Sequence, residues 1–112
     1  VKIIRGDYKE FKIIRKTQDG EIIDEAIDKM YFTVKKSCYL KDYLFQKTLD
    51  NGIIYDETNK CYIVKIKPED TNDLSFDTYY YDVEIKKDDE VKTLIVDTFV
   101  VEKEVTHSGN EG

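Results

Sequence analysis

Alternation with a period of two constrains this chain more than any other feature. Met30, Phe32 and Val34 alternate with Tyr31, Thr33 and Lys35, and Tyr62, Val64 and Ile66 alternate with Ile63, Lys65 and Lys67. In a third run, Tyr79, Tyr81, Val83 and Ile85 alternate with Tyr80, Asp82, Glu84 and Lys86. Successive side chains of a strand point to opposite faces, so each run predicts a half-buried strand with one apolar side. Phe11 and Ile13 against Lys12 and Ile14 give a fourth, less regular run. Tyr, Ile, Val, Phe and Thr fill these positions, as suits a pleated surface. The pattern predicts a core containing Phe11, Ile13, Phe32, Val34, Tyr62, Val64, Tyr81, Val83 and Phe99.

Turn chemistry punctuates the runs. Gln18-Asp19-Gly20 predicts a hairpin between Phe11–Lys16 and Glu21–Ile23. Asp50-Asn51-Gly52 separates Leu44–Thr48 from Ile53–Tyr55, and Asp56–Lys60 precedes Cys61–Lys67. Lys87-Asp88-Asp89-Glu90 joins Thr78–Lys86 to a long last strand, Val91–Glu104. In that strand Leu94 and Val96 share one face and Phe99 and Val101 the other, so a bulge near Asp97-Thr98 is expected. Helix is confined to single turns at Asp24–Asp28 and Pro68–Leu74, the latter with proline at the first helical position. The sum predicts an all-β fold, an antiparallel immunoglobulin-like β-sandwich of about seven to nine strands. Phe76 or Tyr79, just after the Pro68–Leu74 turn, matches the tyrosine that precedes strand F in such domains. No Gly/Ser/Pro-rich linker divides the chain. Residues 1–105 read as one domain and residues 106–112 as a flexible polar tail.

Composition narrows the function. Eighteen Lys and Arg against 24 Asp and Glu give a net charge of -6, which disfavours a general nucleic-acid binder. No apolar run approaches the roughly 20 residues that span a bilayer, and Val1–Arg5 is too polar for a signal peptide. Cys38 and Cys61 are the only cysteines; too few for a disulfide scaffold, they read as two free thiols in a reducing compartment, with one bridge between them as the alternative. The single histidine, His107, lies in the polar tail, where it cannot serve a rigid nucleophile–base pair. No phosphate-cradling glycine motif and no zinc spacing occurs, so no enzyme activity, cofactor or metal is expected. Glu69, Asp70 and Asp73 read as acids of a solvated turn that cap backbone amides, and Arg5-Gly6-Asp7 reads as a turn between the first two strands.

Two surfaces stand out. The chain holds nine tyrosines and no tryptophan. Tyr31 and Tyr80 point outward on the strand period, and Tyr39 and Tyr43 lie beside Leu40 in a connection. These five residues form the candidate protein interface. Asp82, Glu84, Asp88, Asp89 and Glu90 form the candidate acidic surface.

The ordered segments resemble a small β-sandwich domain of tail and baseplate proteins from phages and prophages of Gram-positive bacteria, such as the domain that begins the phage baseplate upper protein. The pieces are Ile4-Arg5-Gly6-Asp7 leading into Phe11-Lys12-Ile13, then Gln18-Asp19-Gly20-Glu21, then Asp28–Lys36. Phe45–Leu49, Ile66–Thr71, Thr78–Ile85 and Asp97–Val101 with Glu104-Val105-Thr106 complete the series. Asp97-Thr98 stands where the family's strands often carry a glycine. The resemblance implies a virion structural module, assembled in the host cytoplasm. It would hold neighbouring tail subunits, or copies of itself, through edge strands and aromatic faces, without nucleic acid or membrane. A second expectation is a small acidic phage inhibitor that occupies a basic channel of a bacterial enzyme. A third is a carbohydrate-binding module using exposed tyrosines.

Overall fold

The alternating runs become strands because each buries one row of side chains and leaves the other in water. In the computed structural model, which describes residues 1–103, the order is β1 (Lys2–Ile4), β2 (Lys9–Ile13), β3 (Lys29–Lys35), β4 (Phe45–Leu49) and β5 (Gly52–Asp56). Then follow β6 (Cys61–Ile66), the helical turn α1 (Pro68–Thr71), β7 (Asp77–Lys87) and β8 (Glu90–Glu102). The fold is all-β apart from α1. The strands join in one eight-stranded sheet of order β1-β8-β7-β3-β4-β5-β6-β2. The boundary expected at residue 105, the tail and His107 lie outside the described residues.

The sheet is mixed, which corrects the expectation of purely antiparallel pairing. β1 runs parallel to β8, with Ile3 opposite Val101. β4 and β5 are parallel over two residue pairs, Thr48 with Gly52 and Leu49 with Ile53. A two-residue link ordinarily reverses a chain. Here Asp50 and Gly52 both have positive φ, at 66° and 99°. Thr48 N–H donates to Asn51 O at 3.0 Å, and Asp50 N–H donates to Ile53 O at 2.8 Å. The chain therefore winds through a full loop and leaves in the direction it entered. It passes from pairing with β3 to pairing with β6.

The sheet curls until its ends meet across one core. Phe11 on β2 stacks on Phe32 of β3 with centroids 6.2 Å apart, although three strands separate β2 from β3 in the sheet order. Ile3 of β1 joins the same apolar cluster as Ile13 of β2. Of the nine expected core residues, eight are buried. Phe11 is only half-buried, because β2 is a sheet edge with a neighbour on one side. Met30, Ile53, Ile66, Tyr79, Ile85 and Val101 complete the interior.

Three local expectations need correction. The hairpin around Gly20 closes through a single bridge, Lys16 with Ile22, and no strand forms at Glu21–Ile23. Asp24–Asp28 is not helical. Ile27 packs against the core and Asp28 N–H donates to Lys86 O at 2.8 Å, which draws the segment out along β7. The bulge lies between Val83 and Glu84 of β7, where Leu94 is the extra residue of β8, rather than at Asp97-Thr98. This turns Leu94 and Ile95 together toward the core and leaves Val96 71% exposed.

The Pro68 turn forms as expected. Asp70 accepts from Lys67 N–H at 2.7 Å and pairs with Lys47 at 2.7 Å. Gly6, at φ 83°, turns the chain between β1 and β2, and its N–H donates to the buried Thr71 hydroxyl at 2.9 Å. Both cysteines are free, Cys38 exposed and Cys61 buried.

Candidate protein-binding face

β3 lies between β4 and β7, and its register assembles the outer face. Thr33 is opposite Gln46 on one side and Asp82 on the other. Tyr31 is opposite Thr48 and Glu84, and Lys35 is opposite Tyr80. Short Thr33 sits between tall Tyr31 and Lys35, so the face dips there into an open cleft of about 300 Å³. Asp82 and Glu84 border the cleft on the β7 side, and Gln46 borders it on the β4 side. Gln46 Nε2 donates to Thr33 Oγ1 at 2.9 Å, which ties the amide across the β3–β4 pair.

The connection from β3 to β4 supplies the remaining wall. Leu44 N–H donates to Val34 O at 2.7 Å, and Leu40 N–H donates to Ser37 O at 3.2 Å. Lys35 Nζ donates to Leu40 O at 3.0 Å. Pinned at these points, the loop places Lys41 and Tyr43 at the cleft. Tyr39 is 93% exposed, and Leu40 beside it is exposed as well. A smaller hollow of about 60 Å³ adjoins across Lys35 and Asp82, lined also by Tyr80, Cys38 and Val96. Burial pushes the Asp82 carboxyl above its ordinary value, and nearby Lys35 offsets only part of that shift.

Tyr31, Tyr43 and Tyr80 thus share one face, with Tyr39 and Leu40 on the loop above it. The candidate acidic surface divides. Asp82 and Glu84 belong to this cleft, whereas Asp88, Asp89 and Glu90 lie at the tip of the β7–β8 hairpin, about 20 Å along the strand at roughly 3.3 Å per residue. That tip is mixed in charge. Lys87 pairs with Glu25, Asp88 N–H donates to the Asp28 carboxylate, and Lys86 lies opposite Lys29. The sequence reading missed Thr33, Lys35, Lys41, Gln46 and Cys38. The first two were readable, since they share the outward period of Tyr31; the others reach the face only through the fold of the loop and the pairing of β4.

Among the described residues no group of three or more His, Cys, Asp or Glu could hold a metal ion, and no helix is long and apolar enough to cross a membrane. In the Arg5-Gly6-Asp7 turn, the Arg5 guanidinium lies over the Phe76 ring, 4.2 Å from its centroid. Comparisons with family models, curated proteins and solved structures return no match for this chain.

Proposed function

We propose that the chain is a non-enzymatic protein-binding module, a structural component of a phage tail or baseplate that works in the virion. The observation that carries the reading is the placement of Tyr31 and Tyr43 at one cleft and of Tyr80 at the hollow that adjoins it, with Tyr39 and Leu40 exposed on the same loop as Tyr43. Aromatic anchors beside a pocket are what protein interfaces use for affinity. The chain-wide resemblance to tail and baseplate domains supplies the setting.

An immunoglobulin-like sandwich is the fold that this role implies, and three features support it. Only two residue pairs join β1-β8-β7-β3-β4 to β5-β6-β2 at the β4–β5 loop. Tyr79, near the start of β7, donates its hydroxyl hydrogen to Ser75 O at 2.9 Å, the geometry of a tyrosine corner. Phe32 is flanked by Phe11 and Tyr81, an aromatic trio in the core that can serve as the tryptophan packed on a disulfide serves in antibody domains.

Binding acts through the aromatic face rather than the sheet edges. β1 is three residues long, and β2 carries Lys9 and Lys12. β8 has its bulge at Leu94, and Asp97 lies opposite inward-facing Tyr81. Short strands, lysines, bulges and charges on the inner face all hinder strand addition. The inhibitor reading would need Asp88, Asp89 and Glu90 to act as one acidic prong, and the lysines around that tip weaken it. Tyr39→Ala or Tyr43→Ala should weaken binding to neighbouring tail subunits, measured by calorimetry, by at least about 1–2 kcal/mol. Neutralising Asp88, Asp89 and Glu90 together should change mainly on-rate and salt dependence. The opposite ranking would contradict the reading.

A further inference from the structure

We propose that Asn51-Gly52 is a site of spontaneous covalent modification, where Asn51 converts to isoaspartate and loosens the joint between β4 and β5. The reacting groups are neighbours along the chain, so the covalent structure itself supplies their proximity. The Gly52 amide nitrogen attacks Asn51 Cγ and closes a five-membered imide. The side-chain nitrogen leaves as ammonia, taking up the proton that the Gly52 nitrogen gives up. Water then opens the imide. Cleavage at Cγ gives aspartate. Cleavage at the main-chain carbonyl gives isoaspartate, whose main chain runs through Cβ and Cγ. The reaction consumes only water.

Of the described asparagines, Asn51, Asn59 and Asn72, the fold leaves Asn51 open to this reaction. Asn51 is exposed, and its side-chain amide has no hydrogen bond within the described chain. The bonds that pin the wound loop are donated by the N–H groups of Thr48, Asp50 and Asn51, and the Gly52 N–H is not among them. Asn59 instead donates its amide to Asp56 Oδ2 at 2.8 Å, and Lys60 follows it. Asn72 is followed by Asp73, whose side chain hinders the attack. Gly52 is required by the loop, at φ 99° and with Lys47 Cδ 2.5 Å from where a Cβ would stand. The fold thus keeps the residue that makes Asn51 labile. The joint is small, since β4 and β5 pair only at Thr48 with Gly52 and Leu49 with Ile53. Asn51 O accepts from Thr48 N–H at 3.0 Å. In isoaspartate that oxygen belongs to a free carboxylate, and the main chain beside it is one atom longer, so the loop loses the bond that closes it.

Incubation of the folded full chain at mildly alkaline pH, followed by peptide mass spectrometry and labelling with isoaspartyl methyltransferase, tests the site. Expected are loss of the Asn51 amide, methyl labelling of the same peptide, and intact Asn59 and Asn72. Asn51→Gln, which would have to close a six-membered ring, should abolish the labelling. An Asn51 that stays intact in the folded chain overturns the proposal, even if it converts in urea. Conversion to aspartate without labelling, or conversion of Asn59 or Asn72 at the same rate, overturns it as well. The isoaspartate form, separated by ion exchange, should unfold at a lower denaturant midpoint than wild type and than Asn51→Asp, which carries the new charge without the longer main chain. Equal midpoints for the isoaspartate form and Asn51→Asp would overturn the loosening of the joint.

Discussion

Phe32 ties the two halves of the molecule together. It is 1% exposed, and its ring stacks on Tyr81 at 5.1 Å and meets Phe99 edge-on at 6.4 Å, with Phe11 on its other side. Removing it leaves a cavity bounded by strands from both ends of the sheet. Phe32→Ala should therefore lower the unfolding free energy by about 3–5 kcal/mol, read from the denaturant midpoint. An unchanged midpoint would mean that the strand faces are reversed. Asp82 works in the other direction. Its native carboxyl holds its proton more tightly than the unfolded chain does, because burial penalises the charge. Its contribution to stability is most favourable below the ordinary carboxylate range, and it declines as pH rises through the raised native value. Asp82→Asn should consequently melt higher than wild type at pH 7, with the gain shrinking toward about pH 3. A gain that grows in acid would contradict the burial of this group.

At the level of elements, the wound loop between β4 and β5 decides the topology. A side chain at Gly52 would meet Lys47 Cδ at 2.5 Å in a backbone of φ 99°, whereas Gly20, at φ 85°, has open space around it. Gly52→Ala should cost more than Gly20→Ala, about 2–3 kcal/mol against about 1 kcal/mol. Equal costs in thermal melts would show that the loop adjusts freely. Strand positions and inward faces were legible in the sequence wherever one face is buried, as in β3, β6 and β7, since water on one side and core on the other impose the alternation. Direction was not legible at Asp50-Asn51-Gly52, because turn residues announce positive φ without saying whether the chain reverses. The bulge was misplaced for a related reason. Four apolar residues, Leu94, Val96, Phe99 and Val101, must change face somewhere, and only the pairing with β7 fixes the place at Leu94. At the candidate face, Tyr31, Tyr80, Asp82 and Glu84 were readable from the outward period. Their assembly with Lys41, Tyr43 and Gln46 depends on how the loop folds back through Val34 and Leu40.

For the whole molecule, a curled sheet with protected edges leaves the outer face of β3 and β7, with its tyrosine-bordered cleft, as the surface for the proposed docking. β1 covers only the end of β8, and the bulge at Leu94 with Asp97 beyond it guards the rest of that edge. Lysines guard the free side of β2. On the proposed reading, association uses the outer face of β3 and β7, away from these guarded edges. The most direct measurement is quantitative peptide mass spectrometry of purified phage particles, and of their separated tails, from the strain that encodes this sequence. The expected result is recovery of the chain in the tail fraction, in a fixed ratio to the other tail subunits. A chain present in infected cells but missing from purified particles, and recovered there on a host enzyme, would contradict the structural role.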